Sequence, residues 1–190
     1  MKNKTVSAAL IVTLLGLLMG APLAAEKPLS RDEALAAIKL PFPHTAAAKD
    51  YLGLTGQGSF AISQIKTQVV IIEVFNMYCN NCQREAPRVN DLYRLINKDT
   101  KLKGRIKMIG IGAWNTLLEV EVFRKNFQVL FPLFPDEDYI IHKALGEVRT
   151  PFFSCVKINA DGSLKIFHSN KGGFPDAAQF LKQIVRGAGL

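Results

Sequence analysis

Two cysteines stand two residues apart in the run Met77-Tyr78-Cys79-Asn80-Asn81-Cys82-Gln83. That spacing lets both sulfurs meet across one helical turn, where they can close a disulfide and reopen it. The pair has rival uses. A static disulfide is one, and half of a zinc site is another. Zinc needs a second pair of ligands, however, and Cys155 with His44, His142 and His168 offers no paired spacing. Covalent haem attachment needs histidine directly after the second cysteine, where Gln83 stands. A non-catalytic clamp for Cu(I) or thiols stays open, although no methionine- or histidine-rich stretch accompanies the pair. A thiol peroxidase fits less well, because its reactive cysteine normally stands alone.

The surroundings of the sulfurs decide their reactivity. Val69, Val70, Ile71, Ile72, Val74 and Phe75 form a continuous β-branched and aromatic run, the pattern of a strand buried on both faces. Residues from about Cys79 to Ile96 read as a helix. Cys79 thus stands at a helix N-terminus, whose unpaired N–H groups and dipole stabilise an anion, and its thiolate is expected at lower pH than that of a free cysteine. Glu73 lies six residues before Cys79 inside the apolar strand. An unpaired carboxylate there is costly, so a raised pKa is expected; the alternative is a side chain that turns outward or pairs with a lysine. Pro87 is expected to bend the helix five residues after Cys82. Cys155 reads as a small buried apolar residue, with a regulatory thiol as the alternative. Trp114 ends a strand and either borders the active-site face or caps the core. The three histidines receive no role.

Strands and helices alternate around the pair. Ser30 with Glu33 forms a capping box before a short helix that ends by Pro41 and Pro43. Tyr51 to Ile62, with Gly53, Gly56 and Gly58, reads as short edge strands joined by turns. A strand over about Ile106 to Ala113 completes a βαβ unit with a right-handed crossover. A helix over about Leu117 to Phe127, an apolar segment at Phe131 to Phe134 and a helix from Tyr139 to Leu145 follow. Phe152 to Ile158 and Leu164 to Phe167 flank Asp161-Gly162 as a hairpin. Pro175 and Asp176 open a last amphipathic helix through Phe180, Leu181 and Ile184. The alternation is that of an α/β fold.

The chain begins with Lys2 and Lys4, an apolar run from Val6 to Met19, and the small residues Gly20, Ala21, Ala24 and Ala25. This order reads as a secretory signal peptide over residues 1–25, with an uncleaved membrane anchor as the alternative. In either case the remainder is expected to work outside the cytoplasm, in a bacterial envelope. It is long enough for one domain with its own core. Three cysteines are too few for a disulfide-stapled scaffold, which leaves the close pair free for chemistry. The net charge of +8 is spread over scattered lysines, without the clustered basic face and interleaved aromatics that nucleic-acid binding requires. Weak attraction to an anionic membrane surface is compatible with it.

The strand with Glu73, followed by Cys79, Cys82, Glu85 and Pro87 in the run CNNCQREAPRV, resembles the CxxCxxExP pattern of the exported TlpA/ResA-like branch of the thioredoxin superfamily. Thr150-Pro151, preceded by Gly146-Glu147-Val148-Arg149 and followed by the hairpin, is similar to that family's cis-proline loop and final strands. The resemblance covers roughly Tyr51 to Val185.

It implies a thioredoxin-like three-layer α/β/α sandwich with a central mixed sheet, divided as an N-terminal extension with a short helix over residues 26–50 and a thioredoxin-like domain over residues 51–190. Pro151 is then expected to be cis beside the sulfurs, with the Thr150 backbone open to an extended substrate. Glu73 is expected to exchange protons with Cys82. The sequence departs from the family where Tyr78 replaces the tryptophan usual before the first cysteine, and the Asn-Asn dipeptide leaves the redox poise unset. The implied activity is thiol-disulfide exchange in the periplasm with the thiols or disulfides of envelope proteins, apocytochrome c among them. A reductase served by a membrane electron donor is expected first and a disulfide-forming oxidase second. No cofactor beyond the redox-active Cys79–Cys82 disulfide is implied.

Overall fold

The computed structural model describes residues 29–190, so the leader expected over residues 1–25 lies outside the described residues. Ser30 caps α1 (Arg31–Ala37) reciprocally: its hydroxyl accepts from the Glu33 N–H at 3.3 Å, and the Glu33 carboxylate accepts from the Ser30 N–H at 2.8 Å. Strand β1 (Lys39–Pro41) pairs antiparallel with β2 (Ser59–Ala61). Between them runs α2 (Ala46–Leu52), capped by Thr45 and closed by Gly53 in the left-handed region. The sequence suggests edge strands and turns from Tyr51 to Ile62 and marks no helix just before them. A helix of seven residues holds too few apolar positions to display a 3.6-residue period. The division expected between residues 50 and 51 falls inside α2, and Leu35, Leu40, Leu52, Val70 and Ile72 share one core across it.

Strand β3 (Val69–Phe75) is buried at all seven positions, which explains its unbroken apolar run. It leads through residues 76–79 into α3 (Asn80–Lys98). Then come β4 (Ile106–Ala113), α4 (Leu117–Asn126), β5 (Leu133–Asp136), α5 (Ile140–Ala144), β6 (Phe152–Ile158), β7 (Leu164–Lys171) and α6 (Ala177–Ala188). These strands form one five-stranded sheet in the order β5-β4-β3-β6-β7. The β3–β4 and β4–β5 pairs are parallel, and the β3–β6 and β6–β7 pairs are antiparallel. Pro87 lies within α3, and Asp176 caps α6 rather than lying inside it.

The pleat of β3 sorts its residues between two layers. Val69, Ile71 and Phe75 pack with Val89 and Leu92 of α3, Val120 and Phe123 of α4, and Phe180 and Ile184 of α6. Val70, Ile72 and Val74 pack with Leu35 of α1, Leu40 of β1, Leu52 of α2 and Ile141 of α5. The result is an α/β/α sandwich around a mixed sheet. Gly112 lets α4 close on that sheet, because a Cβ there would stand 2.7 Å from a Val120 methyl. Among the described residues no helix is long and apolar enough to cross a membrane.

Candidate functional site

The turn that delivers Cys79 is held from three directions by amides. The Asn76 side chain donates to the Ala113 carbonyl at 2.7 Å and accepts from the Tyr78 N–H at 2.9 Å. The Asn115 side chain, fully buried, accepts from the Met77 N–H at 2.8 Å. Gln83 reaches back from α3 and donates to the Met77 carbonyl at 2.8 Å. Sequence reasoning missed all three. Asn76 and Gln83 flank the cysteine run and offered a local signal, whereas Asn115 is brought there only by the parallel pairing of β3 with β4.

Cys79 is the N-cap of α3, and its sulfur accepts from the Cys82 N–H at 3.3 Å. The Cys79 sulfur also lies 3.5 Å from the Thr150 carbonyl oxygen. Partial burial works against ionisation of Cys79, but hydrogen bonds from the Cys82 thiol and from the backbone N–H groups of Cys82 and Asn81 outweigh it and hold the thiol below its ordinary pKa. Cys82 is the opposite case. It is 0% exposed, and burial, reinforced by the neighbouring Cys79 sulfur, pushes its pKa far above the ordinary value. Both are free thiols in this structure. The pair therefore consists of one reachable, acidic thiol and one sheltered thiol that stays protonated.

The Thr150–Pro151 bond is cis, Pro151 is buried, and Thr150 is half-buried beside the Cys79 sulfur. Glu73 does not turn outward: it is 2% exposed, and its Oε1 has no hydrogen-bond partner among the described residues. It shares the face of β3 that carries Ile71 and Phe75, the face against which α3 packs Cys82. Burial, with a smaller contribution from the Glu85 carboxylate, lifts the Glu73 pKa to about 8. Glu85 is itself secured, accepting from the Phe174 N–H at 2.9 Å and pairing with Arg88 at 2.9 Å.

Tyr78 is 66% exposed, and its hydroxyl donates to Glu119. Trp114 borders this surface rather than capping the core: it is 67% exposed and lies 5.5 Å from the Tyr139 ring, centroid to centroid. Tyr78, Trp114, Glu119 and Glu137 line a shallow depression next to the cysteine turn. Cys155 is fully buried opposite Ile71, with its thiol pushed up to about 12 by desolvation. Nε2 of His142 meets the Val148 carbonyl at 2.7 Å, while His168 packs against Phe180. Among the described residues no three His, Cys, Asp or Glu side chains cluster as a metal site.

The chain matches no family model. It is 25% identical over 117 residues to the thiol-disulfide oxidoreductase ResA of Geobacillus thermodenitrificans, a match covering 60% of this chain and 62% of that protein. It is 28% identical over 111 residues to ResA of Bacillus thuringiensis subsp. konkukian, covering 58% of this chain and 59% of the relative. These matches thus span about six tenths of the relatives' own length. In fold it resembles a secreted disulfide oxidoreductase of Mycobacterium tuberculosis homologous to DsbE of E. coli. The TM-score there is 0.55 at 15% identity, covering 82% of this chain and 98% of the other. StoA of Bacillus subtilis gives a TM-score of 0.52 at 20% identity, covering 68% of this chain and 90% of the other. The chain is thus a protein of thioredoxin-like fold, and its likeness is to the TlpA/ResA-like thiol-disulfide oxidoreductases of that superfamily.

Proposed function

We propose that the protein is a thiol-disulfide oxidoreductase that reduces disulfides in other proteins through Cys79 and Cys82. The thiolate of Cys79 attacks one sulfur of a substrate disulfide, forming a mixed disulfide and expelling the other substrate sulfur as a thiolate. Cys82 then attacks the Cys79 sulfur. The second substrate thiolate leaves, and the Cys79–Cys82 disulfide remains. The substrate has gained two electrons and the enzyme has lost two. A dithiol donor must return them, and that donor is assigned to the membrane.

The observation that carries this reading is the difference between the two thiols. A sheltered Cys82 needs its proton removed at the resolving step, and Glu73, buried on the same side of the sheet and titrating near neutrality, is the group assigned to take it. Thr150 and Pro151 offer the backbone edge along which an extended substrate lies, with Tyr78 on its other flank. The signal-like pattern of residues 1–25, read as a cleaved leader or an anchor, supports a periplasmic site of action with envelope proteins as partners.

Insulin reduction by the protein and by Cys79→Ser tests the activity: the variant is expected to be inactive, and equal rates would remove the proposal. Cys82→Ser should accumulate mixed disulfides with the physiological partner. A redox titration decides direction, since a potential near those of strong disulfide-forming oxidases would reverse it.

A further inference from the structure

Four separate segments send cations into one groove beside the cysteines. Arg31 comes from α1, Arg84 and Arg88 from the first turns of α3, Arg149 from the loop before Pro151, and Lys171 from the end of β7. The groove floor includes Asn81, Thr150 and Pro151, so it runs directly into the surroundings of the Cys79 sulfur. All five cations are exposed. Only Arg88 forms an ion pair among the described residues, with Glu85.

Two acids, Glu85 and Glu147, line the same groove. The Glu85 carboxylate is buried and already committed to Arg88 and the Phe174 N–H, which leaves Glu147 as the one exposed negative charge. On the other side of the cysteine turn the signs reverse, because Tyr78 and Trp114 stand there with Glu119 and Glu137. The surface around Cys79 is therefore polarised across the Thr150–Pro151 loop.

We infer that this groove is a specificity surface for a polypeptide substrate that carries Asp or Glu residues on one side of its reactive cysteine. The inference rests on the exchange reading for what happens to the substrate, but not for its binding. Cations spread along an open groove suit a row of carboxylates on an extended chain, whereas small-molecule sites are concave and mostly apolar with few polar groups. Such a field raises encounter rates and selects register across an interface.

The test uses three disulfide peptides with one common core, flanked on one side by acidic, basic or serine residues, and the same peptides with serine in place of cysteine. At low ionic strength the acidic peptide should be reduced with a kcat/KM on the order of tenfold above the basic one, and the gap should shrink as salt rises. The triple variant Arg84→Glu, Arg149→Glu, Lys171→Glu should abolish or invert that ratio. Partial misfolding of this variant would lower both rates by one common factor, so the ratio still reports the reversed charges of the folded fraction. Binding of the cysteine-free peptides, read by fluorescence anisotropy, should follow the same order. Equal binding of acidic and basic peptides, or a ratio unmoved by charge reversal, overturns the groove. Preferential binding of the acidic peptide without reduction of any peptide retains the groove and removes the enzymatic proposal.

Discussion

The two faces of the central sheet are built to different ends. Toward α1, α2 and α5 the buried side chains of β3 are Val70, Ile72 and Val74, and their neighbours Leu35, Leu40, Leu52 and Phe60 are equally apolar. Toward α3 and α6 the same strand presents Glu73 among Val69, Ile71 and Phe75, and that layer also holds Cys82 and Cys155. The partner layer also buries ionisable groups, but Lys107 there lies over the Tyr51 ring and Asp136 accepts from the Ile141 and His142 N–H groups. Oε1 of Glu73, by contrast, has no partner among the described residues and stands in the layer that holds Cys82, which marks that layer for chemistry.

Single substitutions separate the layers. The largest effect belongs to Cys79→Ser, which should end disulfide exchange, measured by insulin reduction, and leave the thermal midpoint nearly unchanged. On the opposite layer Leu40→Ala should do the converse. Leu40 is fully buried, and its truncation should cost about 2–5 kcal/mol in urea unfolding while turnover per folded molecule is kept. A Leu40→Ala variant that folds normally and has lost activity would erase the contrast.

Glu73→Gln sharpens it. The Glu73 pKa is raised to about 8 in the folded protein, against an ordinary value near 4.3 unfolded, so the native state holds the extra proton between those values. Stability therefore falls as pH rises from about 4 to about 8 and levels off above. Glutamine removes that loss: the variant should be more stable than wild type by a few kcal/mol at pH 8, with the gap closing toward pH 4. The same variant should lose the rise in mixed-disulfide resolution with pH. Stability curves that stay parallel across the range contradict this account of Glu73.

Asn115→Ala should cost about 1–3 kcal/mol, because it leaves the part-buried Met77 N–H without its partner, and should slow exchange by loosening the turn before Cys79. Cys155→Ala should have the smallest effect, roughly 1 kcal/mol or less in stability, since it removes one small buried group. Unchanged exchange kinetics in this variant would dispose of a regulatory thiol.

What was legible in the sequence is what local pattern controls. The unbroken run of β3, the strand at Ile106–Ala113 and the hairpin around Asp161-Gly162 stand where periodicity and turn chemistry put them, and the mixed sheet between helical layers is the sandwich expected. The burial of Glu73 followed from its place within an apolar strand. Asn115 was hidden because its partner, Met77, lies 38 residues away and meets it only through strand pairing. The cationic groove escaped for the same reason: its five charges come from segments between Arg31 and Lys171 that look like scattered surface residues until the chain folds. Helix α2 was obscured because it is as short as α1 but has Ala48 where α1 has Glu33, so no capping box announces it.

The difference between the two sulfurs supports everything functional here, and it is open to direct reading. Alkylation of the reduced protein by iodoacetamide across pH, with the modified cysteine identified by mass spectrometry, should show Cys79 reacting along a titration below that of a free cysteine, with Cys82 protected until the fold opens. Two thiols that titrate together near the ordinary cysteine value, or a Cys82 that is modified first, would contradict the account.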